Sequence, residues 1–388
     1  MDLELEAVDF LCRLVQQPSI SGREESAVRV VIDEMQRLGF DEVWQDETGS
    51  PVGVLQGQRP GRQVIFDAHV DVVPVTTPDA WQHSPFSGDL QDGLVWGRGA
   101  CDNKGSLAAM ISGLAAIPRS ELAGKLYVVG SVGEEIFEGV GLAPLVDSLK
   151  PDFVVVGEPT DCRLGYGSRG RSRLLFRVRG AAAHSSSEDQ SHNAIYAIGR
   201  LIQAIQSHPL PQDAWLGRGI QAPIELISNP YPSASTMPVE CRLIVDRRLV
   251  LGETEPAILA GYQPELADLP GASVELDLVN YTSYNGYQIS QADFHPARVT
   301  EPGTPYMQAC IQAVQQAGLP AELYTVPYCT NAAYSAGTAG IPAVIFGPGS
   351  ISHAHVMDEF LEVAQFYQAL KAYQAMALAL GKVNPTLR

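Results

Sequence analysis

No apolar stretch in this 388-residue chain approaches the roughly 20 residues that a membrane-spanning helix needs. Basic residues are also scarce, because 26 Lys and Arg stand against 44 Asp and Glu, for a formal net charge of −18. Such a balance repels nucleic acid and anionic membrane surfaces and mainly promotes solubility. We therefore expect neither a nucleic acid nor a membrane as a partner.

The sequence also lacks the signals of secretion and of disulfide or zinc-knuckle frameworks. The segment Met1–Glu6 is acidic and has no basic stretch followed by an apolar one, so no signal peptide is expected. No C-x-x-C pair occurs, which favours reduced thiols and a cytoplasmic location. The six cysteines are Cys12, Cys101, Cys162, Cys241, Cys310 and Cys329.

Length and hydrophobic pattern predict an α/β protein of two domains. A chain of 388 residues is long for one domain, and 45% hydrophobic with 18% charged residues is typical of globular proteins. Short apolar runs rich in β-branched residues alternate with helical patterns up to about residue 171, as in a layered βαβ domain. Helices are predicted before Pro18, at about 24–38 and at 105–117.

The pattern changes near residue 172. Strands at about 174–179, 223–227, 241–247 and 273–278 alternate with helices at about 192–207 and 253–261. Their order, β-α-β-β-α-β, is that of a ferredoxin-like sandwich. A helix at about 306–317 and a strand at 343–346 then return to the α/β pattern. We therefore expect the middle segment to be inserted between two halves of the first domain.

Carboxylates and histidines follow four of the apolar runs. They are His69 and Asp71 after Val64–Phe66, Glu134 and Glu135 after Leu126–Val129, Glu158 after Phe153–Val156, and His353 and His355 after Ala343–Phe346. In open α/β sheets, ligands collect outside the carboxyl ends of the strands. The pattern therefore indicates one shared polar site, most simply a metal site, and hence an enzyme.

Taken singly, most of these residues also allow a structural interpretation. His69 could be a core histidine bonded to Asp71, or a metal ligand whose second ring nitrogen that carboxylate holds. Asp102, in a glycine-rich loop before a helix, could be a helix cap or a carboxylate that bridges two metals. Glu158 could be a solvated loop carboxylate.

The adjacent pair Glu134 and Glu135 is harder to explain without a metal. Two neighbouring carboxylates after a buried strand repel each other, and their burial is costly unless a cation compensates. Glu138, which follows closely, is expected to face solvent. Either His353 or His355 could be a ligand, and a surface position is the alternative for both.

The motifs in their order resemble a known family. They are His69-x-Asp71, Gly97-Arg98-Gly99…Asp102-x-Lys104-Gly105, Glu134-Glu135, Gly157-Glu158-Pro159-Thr160 and His355-x-x-Asp358-Glu359. Over nearly the whole chain they resemble the zinc-dependent amidohydrolases and exopeptidases that include acetylornithine deacetylase, succinyl-diaminopimelate desuccinylase, aminoacylase and carboxypeptidase G. The stretch Asp246–Thr254 and the tyrosines that follow it are most similar to the YgeY-like branch of peptidases or hydrolases.

This resemblance implies a dinuclear site. Asp102 would bridge two divalent metals, zinc first, with cobalt or manganese as alternatives. One metal would add His69 and Glu158, and the other Glu135 and His355, which the motif selects over His353. Glu134 would be the general base and Asp71 would orient His69. The family pattern also implies a cis peptide between Asp102 and Asn103.

The resemblance extends to the inserted segment. Gly180…His184-Ser185 resembles a motif whose histidine acts across a dimer interface on the partner's substrate, which would make His184 an oxyanion donor in a homodimer. Arg248 aligns with an arginine that holds a substrate carboxylate. Ser235-Thr236 stands where many relatives have an asparagine, a departure from conventional deacetylases and desuccinylases. Tyr281, Tyr284 and Tyr287 would either line the entrance between domains or pack on the sheet.

The implied fold is a mixed-sheet catalytic domain of zinc-exopeptidase type with an inserted ferredoxin-like dimerisation or lid domain. The expected divisions are 1–172 and 291–388 for the catalytic domain and 173–290 for the insertion. The expected function is hydrolysis of an amide bond in a small N-acyl amino acid or dipeptide. The alternatives are acetylornithine deacetylase or succinyl-diaminopimelate desuccinylase proper, and a non-catalytic binding protein on the same fold.

Overall fold

The computed structural model describes residues 3–384. The acidic segment at the amino terminus is therefore described only from Leu3 onward. The last four residues of the expected catalytic part 291–388 also lie outside the described range.

Helices occur throughout these residues. Their bounds are α1 (Leu3–Val15), α2 (Glu25–Arg37), α3 (Gly105–Ala115), α4 (Ala143–Leu149), α5 (Ala194–Ser207), α6 (Glu255–Gly261), α7 (Gln263–Ala267), α8 (Pro305–Gln316) and α9 (Val363–Leu380). From Leu3 to Asn384, no helix is both long enough and apolar enough to cross a membrane.

The strands up to residue 179 are β1 (Glu42–Gln45), β2 (Pro51–Gln56), β3 (Arg59–His69), β4 (Asp89–Gln91), β5 (Leu94–Trp96), β6 (Ala123–Ser131), β7 (Phe153–Val156), β8 (Leu164–Ser168) and β9 (Gly170–Arg179). Those after it are β10 (Gln212–Asp213), β11 (Gly217–Arg218), β12 (Ile220–Asn229), β13 (Glu240–Leu249), β14 (Ser273–Leu276), β15 (Leu278–Thr282), β16 (Gln288–Ala292), β17 (Phe294–His295), β18 (Arg298–Val299), β19 (Leu323–Val326), β20 (Ala343–Ile345) and β21 (Phe360–Glu362).

A mixed nine-stranded sheet forms the centre of the α/β part. Its order is β1-β2-β6-β3-β7-β20-β8-β18, with β19 paired to β8. The central strands β6, β3, β7 and β20 are mutually parallel, and the outer pairs β1–β2, β2–β6 and β18–β8 are antiparallel. The four apolar runs of the sequence are therefore neighbours whose carboxyl ends meet at one edge, as predicted.

Both faces of this sheet are covered, which explains why the runs are continuously apolar. Phe66 and Val128 pack into one core with α1, α2, α3, α8 and α9, whereas Ile65 and Val129 pack into a second core with α4. All four side chains are fully buried. Successive residues of one strand thus enter opposite cores, because strand side chains alternate between faces.

A second, antiparallel sheet is built from the middle of the chain. Its order is β12-β13-β9-β14, with β17 also paired to β9. Helix α5 lies between β9 and β12 in sequence, and α6 and α7 lie between β13 and β14. This connectivity is the ferredoxin-like order predicted from the sequence. Strand β9 begins at Gly170, and β12 extends three residues earlier than the predicted strand at 223–227.

Candidate metal centre

The candidate site lies at the carboxyl edge of the four parallel strands. His69 is the last residue of β3 and pairs in register with Ser131, the last residue of β6. The loop after β6 carries Glu134 and Glu135, and Glu158 follows the end of β7 by two residues. His69, Glu134 and Glu158 are all buried. Residues distant in sequence therefore share this edge because the strands that precede them are neighbours.

Asp102 lies between the two histidines of the site. Its Oδ1 is 3.0 Å from His69 Nε2, and its Oδ2 is 3.4 Å from His355 Nε2. The ring of His355 also donates from Nε2 to Glu135 Oε1 at 3.0 Å. The donor atoms of His69, Asp102 and Glu135 all lie within 4.8 Å of one another. A carboxylate with one oxygen toward each histidine has the arrangement expected of a bridging ligand.

The helix-cap interpretation of Asp102 does not fit the local backbone. Helix α3 begins at Gly105 after Lys104, and Asp102 and Asn103 have non-helical dihedral angles. The peptide bond between Asp102 and Asn103 is cis, as the family resemblance implied. The Asp102 carboxylate is therefore directed at the histidines rather than at the first amides of α3.

Burial and mutual charge raise the pKa values of Glu134 and Glu158. Burial raises the pKa of Glu134 well above its usual value, and the charges of Glu138 and Glu135 raise it further. Burial and the charges of Asp102 and Glu134 raise the pKa of Glu158 in the same way. Carboxylates so destabilised in their ionised form are the groups that a bound cation would stabilise.

The pKa values of both histidines are also raised, which favours their charged form. Burial alone would lower the pKa of His69, but the charges of Glu134 and Asp102 raise it well above 6.5. Hydrogen bonds to Asp102 and Glu135 raise the pKa of His355 to about 10. Burial would raise the pKa of Asp102, but its bonds to His355 and His69 hold it below its usual range. The pKa shifts of both imidazoles thus arise from the negative charge of the surrounding carboxylates.

Asp71 contacts His69 differently from the expectation. The Asp71 main-chain carbonyl is 2.9 Å from His69 Nδ1, whereas its carboxylate Oδ1 is 3.6 Å away. The carboxylate accepts hydrogen bonds from the backbone amides of Glu134 at 3.1 Å and Glu135 at 3.2 Å, and from the Ser21 hydroxyl at 2.7 Å. Its side chain therefore holds the Glu134–Glu135 turn, and its backbone orients the histidine.

Glu359 anchors the loop that carries Asp102. Its fully buried Oε1 accepts the backbone amides of Gly99, Cys101 and Asp102, each at 3.0 Å. Its Oε2 accepts from Arg98 Nη1 at 2.6 Å. The sequence motif contains both charged residues, but their contact is invisible without the fold because 261 positions separate them.

The structure separates the two candidate histidines of the last loop. The ring of His353 packs against Phe360 at 4.3 Å between centroids, while His355 contacts the carboxylates. His355 has a positive φ of 60°, as does Asp358 at 51°, and the Asp358 carboxylate accepts the amides of Gln82 and His83. This turn directs His355, and not its neighbour, into the site.

Two candidate residues lie in the inserted segment. His184 is exposed, and its Nδ1 accepts from the Ser186 amide at 3.2 Å, which leaves the ring proton on Nε2. Arg248 is 31% exposed at its side chain and its Nε contacts Asp246 Oδ1 at 2.8 Å. Neither is in the cluster formed by His69, Asp102 and Glu135.

Glu138 does not face solvent, and that expectation was wrong. Its side chain is only 8% exposed and its Oε2 lies 2.8 Å from Arg171 Nη2. A charged residue that follows a strand end is normally expected to be solvated. The partner of Glu138 lies 33 positions away, on a strand of the other sheet. Sequence pattern alone carried no signal for this pair.

Comparison with known sequences matches this chain to a protein family and to several relatives. The sequence profile of "Peptidase family M20/M25/M40" matches residues 65–379. The uncharacterized protein YgeY of Escherichia coli strain K12 is 30% identical over 392 residues, covering 97% of this chain and 95% of that protein. A succinyl-diaminopimelate desuccinylase of Cereibacter sphaeroides is 29% identical over 386 residues, covering 95% and 97%.

The same fold occurs in solved structures. The M20 family metallo-carboxypeptidase Sso-CP2 of Sulfolobus solfataricus superposes with a TM-score of 0.75, covering 98% of this chain and all of that one. The two sequences are 17% identical, so this likeness concerns the fold.

Proposed function

The chain belongs to peptidase family M20/M25/M40 and is a hydrolase of that family, and from this premise we propose that it cleaves an amide bond in a small N-acyl amino acid or dipeptide with the help of two divalent cations. The observation that carries the proposal is the cluster of His69, Asp102 and Glu135 at the edge of the parallel strands. Glu134 stands next to it, with Oε2 3.9 Å from His69 Nε2.

The donor set fits such cations. Imidazole nitrogens and carboxylate oxygens are ligands that zinc accepts, and the same set suits cobalt and manganese. We propose that Asp102 would be a ligand shared by the two ions, that His69 and Glu158 would complete one site, and that Glu135 and His355 would complete the other. The raised pKa values of Glu134 and Glu158 support this assignment, because a cation would offset the mutual repulsion of buried carboxylates.

Each residue then has a chemical task. The bound cations would supply Lewis acidity toward the amide carbonyl and toward an attacking water. Glu134, kept from coordination, takes the proton of that water and returns it to the leaving nitrogen. His184 donates from Nε2 to the developing oxyanion, for which the acceptor role of its Nδ1 prepares the right tautomer. Arg248 holds a free carboxylate of the substrate, since a guanidinium can bind carboxylate with two parallel hydrogen bonds.

We further propose that the protein is a homodimer and that 173–290 is its dimerisation domain. Strand β12 is the end strand of the second sheet and pairs only with β13 among residues 3–384. Its Ile224, Leu226 and Ile227 are 55%, 54% and 44% exposed. An exposed apolar edge strand is a site for pairing with another chain, and a two-fold interface would cover it on both copies.

The cysteines support a cytoplasmic location. All six are free, and five are buried. Burial raises the pKa of Cys310 and similarly of Cys162, the latter to about 12, so these thiols stay protonated and unreactive. We propose the reducing cytoplasm as the compartment on this ground.

The test is a screen of metal-loaded protein with paired variants. Zinc-, cobalt- or manganese-reconstituted protein is assayed on N-acyl amino acids and dipeptides, with acetylornithine and succinyl-diaminopimelate as separate arms. Glu134→Gln should lower kcat by about 10²- to 10⁴-fold and keep its metal, since it removes a base and not a ligand. Its neighbour Glu135→Gln should lose metal instead.

Two results would count against the proposal. Metal loss in Glu134→Gln with retention in Glu135→Gln would mean that the two roles are reversed. A wild-type protein that takes up none of the three metals would remove the hydrolase mechanism and favour a binding protein on the same fold.

A further inference from the structure

The loop between β6 and α4 carries both Glu134 and Glu135 and is held at its two ends. Asp71 accepts the amides of Glu134 and Glu135 at the start of the loop. Asn331 Oδ1 accepts the amide of Gly139 at 2.6 Å at its end. Both anchors belong to the α/β part of the chain. The side chain of Glu138, which lies between these two anchors in sequence, makes other contacts.

The middle of this loop is held by an arginine of the second sheet. Arg171, on β9, places Nη2 2.8 Å from Glu138 Oε2 and 3.3 Å from Asp293 Oδ2. The side chains of Glu138 and Asp293 are 8% and 0% exposed, and that of Arg171 is 15% exposed. His295 Nε2 lies 3.4 Å from the same Glu138 oxygen. The Arg171–Glu138 pair thus joins strand β9 to the loop after β6 through a largely buried contact.

The opposite charges of Arg171 and Glu138 stabilise this contact. Burial would lower the pKa of Arg171, but the charges of Glu138 and Asp293 raise it above its usual range. Removing one partner of a buried pair typically costs several kcal/mol, because the other charge is left without compensation. Moving Glu138 away from Arg171 would therefore cost free energy. The loop that carries Glu138 is thus fixed with respect to β9.

A second contact from the same region supports the start of the loop. The hairpin β15–β16 places the ring of Tyr281 against Gly133, where a Cβ would lie 2.5 Å from the ring and where φ is +72°. The Tyr281 hydroxyl donates to Glu24 Oε1 at 3.2 Å. In the middle of the loop, next to Glu138, Phe137 packs on His295 with ring centroids 4.5 Å apart. Residues 171–295 therefore contact three loop residues, Gly133, Phe137 and Glu138.

We propose that Arg171, acting through Glu138, is a positioning residue that sets the location of Glu134 and Glu135 from the second sheet. The inference rests on the proposed function, in which Glu134 is the base and Glu135 a ligand. It assigns to the inserted segment a task beyond dimerisation and substrate binding. A change in the position of that segment would therefore also change the position of the base.

The experiment compares variants of this pair with a matched control in the full-length, metal-loaded protein. Glu138→Gln and Arg171→Gln each remove one charge of the pair. The matched control is Arg173→Gln, because Arg173 lies two residues along β9 and pairs with Asp277 at 3.2 Å inside the inserted segment. Arg171→Lys keeps the charge and serves as the conservative variant in case Arg171→Gln does not fold.

Two readouts are needed. Hydrogen exchange of peptides that span 133–139 should be about tenfold faster in Glu138→Gln and Arg171→Gln, and unchanged in Arg173→Gln. In the same variants kcat should fall about 10- to 100-fold with a smaller change in KM, because a displacement of about 1 Å in a catalytic group has that effect. Arg171→Lys should recover part of both losses. The double variant should resemble the single ones, since the two residues act as one unit.

The outcomes separate this inference from the proposed function. Unchanged exchange in Glu138→Gln, or faster exchange with normal kcat, would overturn the positioning role while leaving the hydrolase intact. An equal loss in Arg173→Gln would also overturn it, because the effect would then belong to any ion pair of β9. If wild type hydrolyses nothing in the screen, the proposed function fails, and the exchange of 133–139 still decides whether Arg171 holds the loop.

Discussion

At the scale of single residues, the molecule concentrates carboxylates that are costly to ionise. Glu134, Glu135 and Glu158 share this property because they are buried near one another, and a bound cation would offset it. Glu24 lies outside the ligand cluster. Its Oε1 accepts the Gly22 amide at 2.8 Å, but its buried Oε2 has no partner among the described residues.

The ionised form of Glu24 should therefore destabilise the folded protein at neutral and alkaline pH. Burial and the charge of Asp71 raise its pKa from 4.5 to about 7. Because the folded value is the higher one, ionisation weakens the fold as pH rises from 4.5 to 7, and the full cost persists above that. The difference of about 2.5 units corresponds to an upper bound of about 3 kcal/mol.

We accordingly expect Glu24→Gln to be more stable than wild type at pH 8, with a smaller gain at pH 5.5, in thermal or urea unfolding. Exposed Glu25, which pairs with Arg29, is the matched site for a Gln control that should show no such pH-dependent gain. A stability difference that is the same at both pH values would show that Glu24 is not the titrating group.

At the scale of elements, the helix ends follow local signals closely, whereas the strand ends depend on pairing. Helix α1 ends at Val15, before Pro18, and α2 ends two residues before Gly39, whose φ is +74°. Strand β3 continues through Asp67 to His69, three residues past its apolar run, because parallel pairing with β6 extends that far. For a strand, local composition predicts that it exists, whereas its neighbours decide where it ends.

Strand β12 is the element that we propose as the dimer interface. We expect Leu226→Lys to shift the protein from dimer to monomer in light scattering after gel filtration, because a charge on the exposed edge opposes pairing with a second copy. Leu90→Lys on β4 is the matched control, since Leu90 is 56% exposed and Leu226 54%. Wild type that is monomeric at every concentration tested, or a dimer that survives Leu226→Lys, would contradict the assignment of this interface.

At the scale of the whole molecule, the site is assembled from both ends of the chain. His69 and Asp102 come from the first part and His355 from the last, although 253 positions separate Asp102 from His355. The segment 173–290 contributes His184 and Arg248 only if it is brought over this site, from the same chain or from a partner. The divisions 1–172, 173–290 and 291–388 remain our proposal for how this is organised.

Subunit complementation tests the proposed action of His184 across a dimer. We expect His184→Ala and Glu134→Gln each to be inactive, and their mixture to regain up to about a quarter of wild-type activity, because one of the two sites in a mixed dimer then has both residues. Mixed dimers are verified by mass spectrometry with two different affinity tags. Demonstrated mixed dimers without recovered activity would assign His184 to its own subunit's site or to a structural role.

The sequence by itself determined the family, the α/β class and the strand ends where the polar residues gather. Each of these depends on local composition or on the order of motifs. Only the tertiary structure decided which atoms meet: Asp71 with the amides of Glu134 and Glu135, Glu359 with the Asp102 loop, and Glu138 with Arg171. Such contacts join residues up to 260 positions apart, so packing rather than local pattern fixes them. A charge that looks solvated in sequence can be buried against its partner.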